Sequence, residues 1–193
     1  MNGYQGVPDG RATVEQDFEP LEAKKLYGGL SLWMLSMAVP FVMLVDLRYI
    51  MVGFFVSPDA NQVLGALATI ALIISGLWIG GATSAGKRGD LQAVARHEGY
   101  TMLFGWVGLV LSGWQLFNHS MNPVSHFGET YLAVVGISDF YMFVALIALI
   151  SVVMRVKRLG LTINHRWAIQ STAAIWRFIV IAWIAMYILM YLI

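Results

Sequence analysis

The stretch QVLGALATIALIISGLWIGGATSA, residues 62–85, is long and apolar enough to cross a membrane as one helix. About twenty apolar residues are needed to span a hydrocarbon core about 30 Å thick. The segment Gly86-Lys87-Arg88-Gly89-Asp90 follows directly, and its glycines and charges are typical of a loop. We therefore expect a transmembrane helix over residues 62–85 that ends at this loop.

Four further segments meet the same criterion, and they cover residues 26–54, 99–117, 131–154 and 172–193. Hydrophobic residues make up 59% of the chain and charged residues 12%, and the mean hydropathy is +0.70. Soluble domains have about a quarter charged residues. The sequence thus predicts an all-α integral membrane bundle of five transmembrane helices over residues 25–193. Residues 1–24 are predicted to form a flexible polar tail.

Basic residues are distributed unevenly between the two predicted sides of the membrane. The side with the N-terminus carries Arg11, Lys24, Lys25, Lys87, Arg88, Arg96, Arg155, Lys157, Arg158 and Arg166. The opposite loops, residues 56–61 and 118–130, carry no lysine or arginine. By the positive-inside rule, we expect a cytoplasmic N-terminus and a C-terminus outside.

Four charged residues lie within predicted spans, where such residues are costly and are candidates for function. Asp46 and Arg48 are near the outer end of the first span and are expected to reach the interface. Asp139 is about 12 Å deep in the fourth span. Two interpretations remain open for it, a protonated or hydrogen-bonded carboxyl and a partner contact. Arg177 enters from the other side, so a direct Asp139–Arg177 pair is not expected.

The chain has no cysteine and four histidines, so any haem or transition-metal site would depend on His97, His119, His126 and His165. None of them is inside a predicted span. An outer metal site of His119, His126 and Glu129 is one interpretation, and ordinary surface residues are the other. We expect no catalytic residue, no bound cofactor and no metal in this chain.

Small residues recur at helical spacing in the second and third spans, where they favour close helix packing. They are Gly76, Gly80, Gly81, Gly105, Gly108, Ser112 and Gly113. Tryptophans such as Trp176 and Trp183 lie within spans, and they are interpreted as packing residues or as a surface for a quinone or pigment.

In their order, the five spans resemble subunit III of haem-copper oxidases, in the five-helix form of bacterial quinol and cytochrome c oxidases. The resemblance covers residues 25–193. It is carried by Thr69, Ser75, Lys87-Arg88-Gly89-Asp90, Thr101, Gly105, Arg158-Leu159-Gly160-Leu161, Trp176-Arg177-Phe178, Trp183 and Tyr191.

Positions at which this family has ionisable residues differ here. Ser36-Met37 replaces a Ser-Glu pair, and Gln115 replaces a buried carboxylate. Ser138-Asp139-Phe140-Tyr141 stands where the family has His-Gly-Leu-His, while Arg177 and Val180 replace a His and an Asp. The family's roles for these residues do not transfer to this chain.

The resemblance implies a non-catalytic subunit of a terminal oxidase that reduces oxygen with coupled proton pumping. It would stabilise the catalytic subunit and organise lipid in a bacterial or archaeal plasma membrane. The implied partners are subunits I and II and membrane lipids, with haem and copper in the catalytic subunit, phospholipid as the ligand here and no nucleic acid. Residues predicted to contact lipid or a partner are Arg155, Lys157, Arg158, Arg166, Trp176, Arg177, Trp183 and Asp139.

Two other functions remain open at this point. One is a subunit III-like accessory of a nitric oxide reductase, which the lost ionisable positions suggest. The other is a free-standing small transporter or haem carrier, which Asp139 and Arg177 within spans suggest.

Overall fold

The computed structural model describes residues 20–118, 122–159 and 163–193, and all regular secondary structure in these ranges is helical. Five helices are long and apolar enough to cross a membrane, which confirms the predicted all-α membrane bundle. They are α1 (Pro20–Met51), α2 (Gln62–Arg88), α3 (Leu91–Phe117), α4 (His126–Leu159) and α5 (Ile163–Tyr187). A π-helical turn, Ile188–Leu192, continues α5.

Several helices extend beyond the predicted spans, because polar turns can continue a helix that hydropathy detects only in its apolar part. Helix α3 begins at Leu91 and not at Gly99, and the Asp90 side chain caps it by accepting a hydrogen bond from the Ala93 N–H at 2.9 Å. Helix α1 begins at Pro20, so residues 20–24 of the predicted tail are helical, while residues 1–19 lie outside the described part.

A very short turn joins α2 to α3. Gly89 has a φ of 77°, in the left-handed region that favours glycine, and its N–H donates to the Gly86 carbonyl at 3.2 Å. Asp90 then starts the next helix. The two helices are consequently antiparallel neighbours, and they have the most extensive contact in the bundle.

The main core lies where α2, α4 and α5 meet the glycine-rich side of α3. A Cβ atom on Gly105 would lie 2.8 Å from Leu146 Cδ2 and 2.8 Å from Trp176 Cζ2. A Cβ atom on Gly108 would lie 2.6 Å from Leu72 Cγ. Close packing at small residues is therefore confirmed for these two glycines.

Helix α1 is peripheral and packs against α4 and α5. The antiparallel order brings its first residues to the same end as the α2–α3 turn and the end of α4. We call this the basic end, because the exposed cations Lys24, Lys25, Lys87, Arg88, Arg96, Arg155, Lys157 and Arg158 lie there. The other end, with the α1–α2 and α3–α4 connections, is the opposite end.

Candidate functional site

The inward side of α3 carries small and polar residues along its whole length. Positions three or four residues apart share one face of a helix. The buried residues of this face include Glu98, Thr101, Gly105, Gly108, Ser112 and Gln115. The polar groups of the bundle interior are thus concentrated along α3, and side chains from the other helices meet them there.

Two of the tryptophans of α5, Trp176 and Trp183, are tied to α2 by hydrogen bonds. Trp176 Nε1 donates to Ser75 Oγ at 3.0 Å, and Ser75 Oγ donates to the Thr101 carbonyl at 2.7 Å. Trp183 Nε1 donates to Thr69 Oγ1 at 3.0 Å. Both tryptophans are buried, so their contacts in the structure are within this chain. Their contact with lipid or a partner stays a prediction.

Near the opposite end, Gln115 joins two tyrosines in a buried cluster. Tyr131 and Tyr191 each lie within hydrogen-bond distance of Gln115 Oε1, at 2.8 Å and 2.7 Å, and their hydroxyls are 2.6 Å apart. The amide oxygen carries no proton and accepts, while each phenol has one proton to donate. The tyrosine–glutamine cluster, Gln115, Tyr131 and Tyr191, therefore links α3, α4 and the end of α5.

Asp139 lies between α4 and α3. It is buried, and a Cβ atom on Gly113 would be 3.4 Å from its Oδ2. Neither carboxyl oxygen has a hydrogen-bond partner among the described residues, and the buried Ser112 and Ser138 hydroxyls also have none. Arg177 is exposed. The prediction that these two charged residues do not pair directly is confirmed.

Glu98 is a buried carboxyl that sequence reasoning missed. It is fully buried in the second turn of α3, and both of its oxygens are without a hydrogen-bond partner in the described part of the chain. The hydropathy criterion started the third span at Gly99 and so placed Glu98 outside it. The N-cap residue Asp90 was the available signal, since it moves the helix start to Leu91.

The charged residues of α1 differ from each other in burial. Asp46 is exposed, whereas Arg48 is buried and donates to the carbonyl oxygens of Gly53 and Phe55, the latter at 2.8 Å. Its guanidinium carbon is also 5.7 Å from the centre of the Phe127 ring. Arg48 thus ties the chain after α1 to α4, and its extension to the membrane interface stays a prediction.

We expect Arg48→Met to loosen the connection between α1 and α2. Two carbonyl oxygens would lose a charged donor, and such hydrogen bonds contribute about 1.5–3 kcal/mol each at most. Because both carbonyls are near the bundle surface, we expect a loss of about 1 kcal/mol in the free energy of unfolding. Faster amide hydrogen exchange over residues 52–61 would report it. Asp46→Asn is the control, and equal exchange in both variants would contradict the prediction.

Arg177 is an exposed cation in the middle of a spanning segment. It lies ten residues after Trp167, about 15 Å along the helix. A Cβ atom on Gly80 would lie 3.1 Å from its Nη2, so the missing side chain at Gly80 leaves the arginine room to extend over α2. Ser84 and Lys87 are exposed further along α2 toward the basic end.

The other predicted contact residues lie at the basic end. Arg155, Lys157 and Arg158 are exposed in the last turns of α4. The side chain of Arg166 lies outside the described part. Their contact with lipid or a partner is not tested by these positions and stays a prediction.

A cleft of about 440 Å³ opens at the opposite end, between the α1–α2 connection and the start of α4. Asp59 and His126 are among its lining residues. No group of three or more metal-ligating residues occurs in the described ranges. His119 lies outside them, so the His119, His126 and Glu129 metal site remains an untested interpretation.

Two known proteins are similar to this chain over much of its length, although no protein-family model matches it. Cytochrome bo(3) ubiquinol oxidase subunit 3 of Buchnera aphidicola is 25% identical over 181 residues, covering 89% of this chain and 87% of that protein. Cytochrome c oxidase subunit 3 of Corynebacterium diphtheriae is 26% identical over 129 residues, covering 65% of this chain and 63% of that protein. The chain is a divergent protein similar to subunit III of the haem-copper oxidases.

Proposed function

We propose that this protein is a non-catalytic, subunit III-like component of a terminal respiratory oxidase in a bacterial or archaeal plasma membrane. The observation that carries the proposal is the similarity to a quinol oxidase subunit 3 across 89% of the chain. A partner catalytic subunit would hold the haem and copper, reduce oxygen and pump protons. This chain would stabilise that subunit, together with subunit II, and organise lipid around it.

Hydrogen bonds between the helices of the bundle support a structural role. Trp176, Trp183 and Tyr191 belong to the sequence pattern that resembles the family, and all three are buried and hydrogen-bonded to other helices. Interhelical hydrogen bonds and close packing at small residues hold membrane helices together. A bundle built in this way offers a rigid surface to a larger neighbour.

Purification of the native complex tests this function. The tagged chain, extracted from its own membranes in a mild detergent, should co-purify with a larger haem-containing subunit and with oxygen-reducing activity. Isolation of the chain without a haem-containing partner would contradict the proposal. A complex that reduces nitric oxide and not oxygen would instead favour the accessory of a nitric oxide reductase. A Soret band from the chain expressed alone would favour the haem carrier.

Arg177 provides a test of the lipid-organising role. An arginine within a span can extend its side chain toward the interface, and a basic residue near a charged membrane surface contributes about 1 kcal/mol to the binding of anionic lipid, which corresponds to about a five-fold change in affinity. We expect Arg177→Gln to lower the retained anionic phospholipid by about that factor in native mass spectrometry. Lys25→Gln is the control, since Lys25 is an exposed cation on α1, away from Gly80. Equal lipid retention in both variants would exclude a specific role for Arg177.

A further inference from the structure

The carboxyl group of Asp139 lies in a polar site that the proposed function does not use. Asp139 is 8% exposed and Ser112 is 0% exposed, so both are shielded within the bundle. Ser112 directly precedes Gly113, where an added Cβ atom would lie 3.4 Å from Asp139 Oδ2, so its hydroxyl is close to the carboxyl. The two groups are nevertheless not joined by a direct hydrogen bond. Ser112 Oγ and both carboxyl oxygens of Asp139 have no hydrogen-bond partner among the described residues.

Among the residues that the structure describes, the groups around Asp139 supply no positive charge. Helix α3 presents Ser112 and Gly113, which are neutral, and the nearby titratable groups are the phenols of Tyr131 and Tyr191. Each phenol has a single proton, and both are hydrogen-bonded within the tyrosine–glutamine cluster. They are therefore not available to compensate a negative charge on Asp139.

An ionised carboxylate in this position would be buried without a counter-charge. Such an arrangement is very unfavourable in a low-dielectric interior, and the group becomes neutral instead. A neutral carboxylic acid also gains one O–H donor, and an unpaired hydroxyl oxygen is an acceptor for it. One bound proton thus removes the charge, and the O–H of the neutral acid can then donate to Ser112 Oγ.

We propose that Asp139 is an intramembrane proton-binding site in which the neutral acid donates a hydrogen bond to Ser112 Oγ. The carboxylate takes one proton from the aqueous phase, so the site gains one positive charge and becomes neutral. Of the two interpretations that the sequence leaves open for Asp139, burial between α3 and α4 favours the protonated carboxyl over a partner contact. The proposal depends on the fold alone and not on the oxidase assignment.

Infrared spectroscopy of the full chain in lipid vesicles at neutral pH tests the proposal. We expect a C=O stretching band of a protonated carboxylic acid that shifts in heavy water. The band should shift again when the side-chain carbonyl carbon of aspartate is isotopically labelled, a measurement that needs no sequence change. A spectrum in which aspartate labelling shifts no such band would overturn the proposal.

Amide variants then assign the band to a residue. Asp139→Asn should abolish the aspartate band, and Asp139→Asn should leave the unfolding temperature close to that of the unaltered chain, because asparagine is a neutral isostere. Asp46→Asn, on the exposed side of α1, is the matched control and should leave the band intact. A band that persists in Asp139→Asn and disappears in Asp46→Asn would show that the proton is not on Asp139.

The Ser112→Ala variant tests the hydrogen bond of Asp139 independently of its protonation. Loss of the acceptor should move the aspartate C=O band to the higher frequency of a free carboxylic acid without removing it. Glu98→Gln is the control here, because Glu98 is a second buried carboxyl on the same face of α3. An aspartate band that is unchanged in Ser112→Ala would contradict the assigned hydrogen bond.

Discussion

Replacing Gly108 by alanine should lower the free energy of unfolding, because inserting atoms into a packed core costs about 1–3 kcal/mol. The added Cβ would lie 2.6 Å from Leu72 Cγ and 2.8 Å from Leu72 Cδ2, and α2 and α3 would have to move apart. The alanine also gains about 1 kcal/mol of helix propensity over glycine, which acts in the opposite direction. Thermal unfolding in detergent measures the net effect.

Two further variants separate these contributions. Gly99→Ala is on the same helix and its added Cβ meets nothing within 4 Å, so it should report the propensity gain alone. Leu72→Ala should be destabilising by itself, because it leaves a cavity beside Gly108. In the double variant, the alanine at 108 should occupy part of that space. We expect a favourable coupling of about 0.5–3 kcal/mol, and strict additivity would contradict the proposed contact.

Replacing Gln115 by leucine should destabilise the opposite end of the bundle by about 2 kcal/mol. The phenols of Tyr131 and Tyr191 share the Gln115 amide oxygen as an acceptor. Without it, one phenol can donate to the other, and the second is left with a buried unpaired donor, which costs about 1–3 kcal/mol. Thermal unfolding in detergent would measure the loss.

Gln115→Glu is the matched variant for this cluster. A carboxyl oxygen can accept from both phenols, and a carboxylate is what the resembling family has at this position. We expect Gln115→Glu to keep the bundle folded and to be less destabilising than Gln115→Leu. If the glutamate variant unfolds as easily as the leucine variant, the hydrogen bonds to Gln115 do not hold the three helices together.

Hydropathy predicted the five helices well, because a membrane-spanning helix needs a long apolar segment and this chain has five of them. It was less successful at helix ends. The first eight residues of α3, from Leu91 to Glu98, are polar enough to fall below the criterion, yet they are helical because Asp90 caps the first turn. Because Glu98 lies in this polar stretch, the hydropathy criterion did not place it within a span.

The contacts between side chains inside the bundle were harder to predict than the positions of the spans. Small residues at helical spacing indicated close packing, and Gly105 and Gly108 confirm it. The partners could not be predicted, because Trp176 and Ser75 are 101 residues apart and their hydrogen bond depends on how the helices are arranged. For the same reason, the sequence left the environment of Asp139 open.

The short turn between α2 and α3 also constrains how the chain enters the membrane. Packed helices have axes about 8–10 Å apart, and the three steps from Arg88 to Leu91 span at most about 11 Å. Since only Gly89 and Asp90 separate the two helices, the end of α2 and the start of α3 must stay within this distance of each other. We infer that the joined ends of α2 and α3 stay together as these spans enter the membrane, so that residues 62–117 behave as one helical hairpin.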